Sequence, residues 1–447
     1  MSALWTSAEL RAATGGRLEA EVAVARIGFD SRQVEAGDLF VALKAARDGH
    51  DFVPAAFAAG AAAVLVEHGA DSRCLMVADT LAALQALGRA ARGRSMARVV
   101  AVTGSVGKTT TKDMLRLALG AFGPTHAAAA SFNNHIGVPT TLANMPRDAA
   151  FAAIELGMNN RGEIAPLARM ARPHVAIITT IGTAHLGRMG SLDEIAAEKG
   201  DILEGLEPGG TAILPADSAY FPALRARAGR VLSFGLAEGA DIRLLAYEAG
   251  AEGGRASIAT PAGVLELVLA APGRHLAENA TAVLAAIHAL GLDIAQAARA
   301  LENFGAGAGR GQRRAIAAPG GAALLLDESY NASGPSVLAA LAVLKAQPGR
   351  RVAILGDMLE LGEHGPALHL ALGPAVAESV DLLHTVGPLM GAMLASLPVG
   401  LRGHAAPDSS SLAPLMRAAL RAGDAVLVKG SLGMRMATII HALDTPS

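Results

Sequence analysis

Cysteine is almost missing from this chain. Cys74 stands alone, so a disulfide framework is excluded. Its setting, CLMVA, reads as a strand, which makes it a buried small hydrophobe rather than a nucleophile. Aromatic residues make up only 3% of the sequence, too few for the stacking platforms that hold single-stranded nucleic acid. Neither sign of charge is in excess: 38 Lys and Arg face 40 Asp and Glu, a formal net charge of −2. Nothing in this balance suggests a polyanion-binding surface or a disordered acidic tail. No run reaches the ~18 uninterrupted apolar residues of a spanning helix. The N-terminus carries Glu9 early and has no apolar core, so it does not read as a signal peptide. The G-x-G-x-x-G fingerprint is absent, and a dinucleotide cofactor is unsupported. The expectation is a soluble cytoplasmic protein with no nucleic-acid partner and no membrane insertion.

Apolar material, by contrast, is plentiful at 52% of 447 residues, enough for two to four domains. The chain is organised around VVAVTGSVGKTTTKDM, residues 99–114. Val99, Val100 and Val102 read as a buried strand, and a helix follows from Lys108. Between them, Gly104 and Gly107 let the backbone turn so that the N–H groups of Ser105, Val106 and their neighbours converge. The helix N-terminus adds partial positive charge. Lys108 supplies a cation, and the hydroxyl of Thr109, followed by Thr110, suits Mg²⁺. Strand, glycine turn and helix in this order predict a phosphate cradle and a nucleoside triphosphate.

Around this centre the sequence divides into three α/β units with boundaries at 1–95, 96–309 and 310–447. In the first, Thr6 to Glu9 opens a helix, and Asp30, Ser31 and Arg32 cluster on a loop whose plain reading is turn chemistry and a surface ion pair. Arg89–Arg98 reads as a linker. In the second, strands at Phe151–Leu156, Val175–Thr179, Gly210–Leu214 and Val231–Phe234 alternate with helices, the signature of a doubly wound, mostly parallel sheet. Ligands of such sheets sit at the carboxyl ends of the strands. Glu155 lies at one such end and suits Mg²⁺. His185 follows another. Lys199 lies on a helix beside Glu198, where its plain reading is a solvated face. Asn134 belongs to the polar turn NNHIGVP, and residues 241–270 read as an antiparallel excursion. Gly305–Arg314 is a glycine-rich joint whose Arg310 is able to close over a triphosphate. The third unit repeats the alternation, with Asp327, Tyr330, Asn331 and Lys429 at strand ends.

Taken together, TGSVGKTT, SFNNHIGVPTTL, ELGMNNRGEI, IGTAHLG, AEKGDIL, PGRHLAENA, GRGQRR, DESYNASGPS, LGDMLELG and VKGS resemble, in order and from about residue 30 to 435, the Mur ligases of peptidoglycan synthesis. The resemblance implies an N-terminal uridine-nucleotide substrate domain, a central ATPase domain and a C-terminal Rossmann-like domain for the incoming amine. DESYNASGPS, LGDMLELG and ELGMNNRGEI favour the branch that adds D-alanyl-D-alanine to UDP-N-acetylmuramoyl-tripeptide. It further implies that Gly104–Thr110 hold ATP phosphates and that Thr109, Glu155 and His185 attend Mg²⁺. Asn279, Arg310 and Asp327 would face the nucleotide, and Asp30, Ser31, Arg32, Asn134, Tyr330 and Asn331 the other substrates. Lys199 matches a lysine that the family carbamylates, which would serve a second Mg²⁺. Lys108, Lys199 and His185 would be catalytic, and the enzyme a monomer. One departure stands out: Tyr-Asn-Ala-Asn-Pro is replaced by Tyr330-Asn331-Ala332-Ser333-Gly334. Another Mur ligase, a folylpolyglutamate synthetase-like amide ligase, or a P-loop switch or transport ATPase whose hydrolysis drives a partner protein, are the alternatives.

Overall fold

In the computed structural model, which describes residues 3–250 and 252–444, the strand–helix alternation resolves into three principal sheets. The N-terminal one is parallel throughout, in the order β1 (Arg26–Gly28), β2 (Asp38–Val41), β3 (Ala63–Val66), β4 (Cys74–Met76). Its first helix, α1 (Ser7–Thr14), opens with a capping box between Thr6 and Glu9.

The Arg89–Arg98 linker is corrected by the structure: α2 runs from Thr80 to Arg94. Leu84, Leu87 and Ala91 bury one face of it, and this spacing outweighs the polar composition. Arg92 is buried too. Its Nε donates to the Ala171 carbonyl and its Nη2 to the Arg172 carbonyl, each at 2.7 Å, which ties α2 to the next domain.

The central sheet contains, among the described residues, β5 (Arg98–Thr103), β6 (Thr125–Ala127), β7 (Phe151–Glu155), β8 (Val175–Ile178), β9 (Thr211–Pro215), β10 (Val231–Gly235), β11 (Ile242–Ala249), β12 (Gly254–Thr260) and β13 (Gly263–Leu269), in the order 13-12-11-10-9-8-5-7-6. Strands β5 to β11 are parallel; β12 and β13 form the antiparallel excursion. One face is covered by α3 (Lys108–Gly120) and by a long helix at Arg274–Ala289, the other by helices such as Ile164–Ala171. Chain order reverses about β5, the crevice where a doubly wound sheet binds ligands.

The N-terminal and central domains share their packing. The helix Gly137–Ala143 is buried along its whole length, and Ala143 and Ile136 belong to the N-terminal core. Trp5 Nε1 donates to the Ala143 carbonyl at 2.8 Å, and the Asn144 amide makes paired 2.8 Å bonds with the backbone of Ile27.

The third sheet holds β14 (Gln312–Ala318), β15 (Gly321–Glu328), β16 (Arg351–Gly356), β17 (Leu382–Val386), β18 (Arg402–Ala406) and β19 (Ala425–Lys429), in the order 14-15-19-16-17-18, parallel except for the β14–β15 hairpin. The charged Gly-rich joint therefore continues directly into strand β14. At the departure in the Tyr-Asn-Ala motif, Ser333 caps the helix Gly334–Lys345. Pro335 falls in the first turn, where its missing N–H costs nothing.

Candidate active site

The turn after β5 is pinned from the neighbouring strand. Ser105 Oγ donates to the Gly182 carbonyl at 3.0 Å and accepts from the Gly182 N–H at 2.8 Å. The Val106 N–H donates to Thr180 Oγ1 at 3.2 Å. Gly104 has φ +149°, and a Cβ there would overlap Thr179 Oγ1. Gly107, φ +85°, caps α3 with no side chain of its own; a Cβ there would stand 2.6 Å from Asn279 Oδ1. The N–H groups of the first turn of α3, from Lys108 through Thr109 to Thr110, therefore face outward without a capping side chain, at the positive end of the helix dipole. Lys108 folds back, its Nζ donating to the Gly104 carbonyl at 2.7 Å. Loss of water lowers its pKa; Arg310 pushes the same way, and Glu155 opposes both.

Glu155, at the end of β7, is buried and fully engaged. Its Oε2 accepts from the Thr109 hydroxyl at 2.8 Å, and its Oε1 from Ser131 Oγ at 2.8 Å and Asn133 Nδ2 at 2.7 Å. No group of three or more His, Cys, Asp or Glu side chains able to hold a metal occurs among the described residues. A hydroxyl and one carboxylate are nonetheless the donor set that Mg²⁺ takes from a protein when phosphates and water complete its octahedron. Thr109 and Glu155 fit that ion.

His185 caps a short helical turn in the left-handed conformation, φ +67°. Burial lowers its pKa, and Lys108 and Lys199 lower it further against the pull of Glu360. Lys199 is 1% exposed, so the solvated-face reading is corrected. Burial holds its pKa well below the usual lysine value, and Lys108 adds repulsion. The reason lies in the helix: Glu198, also buried, turns away to cap the helix Ile164–Ala171, accepting from the N–H groups of Gly162, Glu163 and Ile164. Lys199 is left facing the phosphate turn.

From the third domain, the Arg310 guanidinium lies 3.9 Å over the Tyr330 ring. Asp327 shapes this joint, its Oδ2 accepting from the Gly309 N–H at 3.0 Å and its Oδ1 from Ser329 Oγ at 2.6 Å. Lys429 Nζ, buried, donates to the Asn331 carbonyl at 2.9 Å and sits 3.3 Å from Glu328 Oε2. A narrow cavity lined by His275, Arg310, Glu328 and Leu326 runs between these elements.

The structure thus gathers Gly104–Thr110, Glu155, His185, Lys199, Asn279 and Arg310 about one crevice. Asp30, Ser31 and Arg32 are not gathered there. Asp30 binds the Arg32 N–H, Nε and Nη2 at 2.7–3.1 Å on the N-terminal surface, as their plain reading describes. Phe29 beside them packs on Phe132 of the central domain at 5.8 Å. Asn134 caps the helix at Gly137 through its Oδ1 and lines a groove of about 480 Å³ with Gln85, Arg89 and Glu163. Sequence reasoning gave no role to Thr179 and Thr180, at the end of β8, nor to Ser131 and Glu360 inside quoted motifs. Asn133 and Glu198 lay inside quoted motifs, yet nothing in their spacing told which partner they meet.

A phosphate-gripping turn at the reversal of a doubly wound sheet, with a Rossmann-like domain leaning over it, defines a multidomain enzyme that spends a nucleoside triphosphate. Family models match the whole succession: the Mur ligase family catalytic domain over residues 23–94, the Mur ligase middle domain over 102–287, and the Mur ligase glutamate ligase domain over 309–432. The UDP-N-acetylmuramoyl-tripeptide–D-alanyl-D-alanine ligase of Synechocystis is 37% identical over 95% of this chain and 93% of its own length. The structure is similar to MurF from Acinetobacter baumannii, with TM-score 0.86, 34% identity and 98% of each chain covered. It is also similar to MurF from Thermotoga maritima in complex with ADP, with TM-score 0.80, 27% identity and coverage of 94% and 97%. The chain belongs to the Mur ligase family. No described helix is long and apolar enough to cross a membrane.

Proposed function

We propose that this chain is an ATP-dependent ligase that joins D-alanyl-D-alanine to the tripeptide carboxylate of UDP-N-acetylmuramoyl-tripeptide, making the UDP-linked pentapeptide, ADP and phosphate for peptidoglycan synthesis. The single observation that carries the mechanism is the pinned turn at 104–110, with Lys108 folded over it and the Thr109–Glu155 pair beside it. Residues 1–95 take the uridine nucleotide, 96–309 take ATP, and 310–447 take the dipeptide.

A carboxylate is a poor electrophile, so its oxygen first attacks the γ-phosphorus. A P–O bond forms, the bond to the β-phosphate oxygen breaks, and ADP leaves. The dipeptide amine then attacks the acyl carbon of the acyl phosphate, loses a proton, and expels phosphate. Lys108, the N–H groups opening α3 and Arg310 hold the charge that moves between phosphate oxygens. Asn279 keeps the turn in shape by packing on Gly107. Mg²⁺, held by Thr109 and Glu155 and attended by His185, supplies further neutralisation of the triphosphate. Lys199, short of water and repelled by Lys108, would react with CO₂ through its uncharged amine; the resulting carbamate is a carboxylate suited to a second Mg²⁺. Asp327 keeps Arg310 in place through Gly309. Asp30, Ser31, Arg32 and Asn134 lie on the uridine-nucleotide side, and Tyr330 and Asn331 on the dipeptide side. The third domain excludes water from the acyl phosphate. One chain contributes every residue named, so a monomer suffices, and the cytoplasm is where ATP and the nucleotide-linked substrate meet.

Phosphate release must require both UDP-N-acetylmuramoyl-tripeptide and D-alanyl-D-alanine, and Lys108→Ala must lower it at least ~100-fold. Release indifferent to either substrate, or undiminished in the variant, refutes the reading. The folate-type alternative is disfavoured because residues 23–94 match a Mur ligase domain, and folate would then fail to bind.

A further inference from the structure

The third domain meets the central one through a contact that no step above uses. Two residues that are not glycine hold the left-handed conformation and face each other across the joint: His185, φ +67°, and Glu360, φ +65°. Such strain is unfavourable at each residue and persists only where the surroundings enforce it. Here they do. The Gly187 N–H donates to the Glu360 carbonyl at 2.9 Å, and Gly187 and Gly362 pack backbone against backbone, leaving no room for a Cβ on Gly187. In this pose Glu360 Oε2 lies 2.6 Å from His185 Nδ1, and Oε1 lies 3.5 Å from Arg188 Nη2. The 2.6 Å contact is close without being aligned as a hydrogen bond, and Nδ1 is buried with no other partner.

We propose that Glu360 is a positioning residue for the ligation, holding the His185 imidazole by Nδ1 across the domain joint so that Nε2 is presented to the phosphate site only while the third domain is docked. A histidine that serves a metal through one ring nitrogen is oriented by a carboxylate on the other, and loss of that partner costs about 10- to 100-fold in affinity or activity. In this chain the carboxylate arrives from another domain, which makes docking and the readiness of His185 one event. The misalignment fits a contact that tightens when substrates bind. The proposal rests on the reading of His185 as part of the phosphate site.

The test uses the full chain carrying Glu360→Ala, Glu360→Gly, His185→Ala, and the double variant Glu360→Ala with His185→Ala. Ligation kinetics and calorimetric affinity for Mg·ADP are the readouts. Glu360→Ala is expected to lower kcat and weaken Mg·ADP binding about 10- to 100-fold, with KM for D-alanyl-D-alanine unchanged, and to cost little more once His185 is alanine. Glu360→Gly is expected to lose the same activity while its thermal midpoint rises, because glycine relieves the left-handed strain; a merely structural residue would lose both together. A full Glu360→Ala loss that persists in the His185→Ala background overturns the proposal alone. So does a rise confined to KM for the dipeptide, which would place Glu360 on that substrate. A fully active His185→Ala overturns the site reading, and the proposal with it.

Discussion

Lys199 illustrates how one side chain is set by its neighbours. Glu198, the carboxylate next to it in sequence, is spent on three backbone N–H groups, and the amine is left dry beside Lys108. Its folded pKa is depressed, so the unfolded chain binds more protons across the interval between the two values. Stability of the ligand-free protein should therefore rise with pH through that interval and fall as pH drops. Lys199→Met is expected to remove this slope and to stabilise the ligand-free chain at neutral pH by roughly 1–3 kcal/mol, while ligation is lost. Thermal melts across pH together with activity measure both; a destabilised variant would contradict the account. A second outcome follows from carbamylation of Lys199. Stripping CO₂ is expected to lower activity about 10- to 100-fold, more steeply in acid, with recovery on adding bicarbonate. At this scale the sequence was legible where a residue acts through backbone geometry, as Gly104, Gly107 and Lys108 do. It was not legible where a role depends on which partner arrives from afar. Asn133 on Glu155 and Glu198 on residues 162–164 are long-range choices, and local spacing carries no trace of them.

Elements obeyed their apolar periodicity over their polar decoration. Strand β5 and helix α3 follow directly from the valine run and the glycine turn. The Arg-rich end of α2 misled because its guanidinium groups have work to do: Arg92 reaches two carbonyls of the neighbouring domain. Strand β17 carries a comparable surprise. His384 is buried in it, stacked on His404 at 5.4 Å, with Nδ1 accepting from the His404 N–H and Nε2 unpartnered. Burial first, then His404 and Arg350, push its pKa down to about 4 from 6.5. The folded domain thus refuses a proton that the unfolded chain accepts. Its stability is intact above pH 6.5 and declines as pH falls toward 4, by up to about 3 kcal/mol. His384→Gln retains an acceptor for the His404 N–H, and denaturant unfolding followed between those pH values should show a flatter acid limb than the parent. Parallel curves would refute this.

Across the whole molecule, the three-part division was legible because each part has its own strand–helix rhythm and the glycine-rich run at 305–311 interrupts it. How the parts meet was not. The joint between the first two domains is a continuous core, with Ala143 and Ile136 lodged in the N-terminal cluster. The joint to the third includes the contact of His185 with Glu360 and the backbone approach of Gly187 to Gly362. Movement during turnover should be confined to the second joint.

That contrast gives the single tryptophan a use. Trp5 is sealed at the first joint, 1% exposed, with its indole bonded to Ala143 and the Arg94 guanidinium 3.7 Å above the ring. It is a native fluorophore reporting on one seam only. Its emission should stay short in wavelength and unaltered when Mg·ATP is titrated in, then move to the red as the N-terminal domain peels away in denaturant. A nucleotide-induced spectral shift would mean that the first two domains do not turn over as one body.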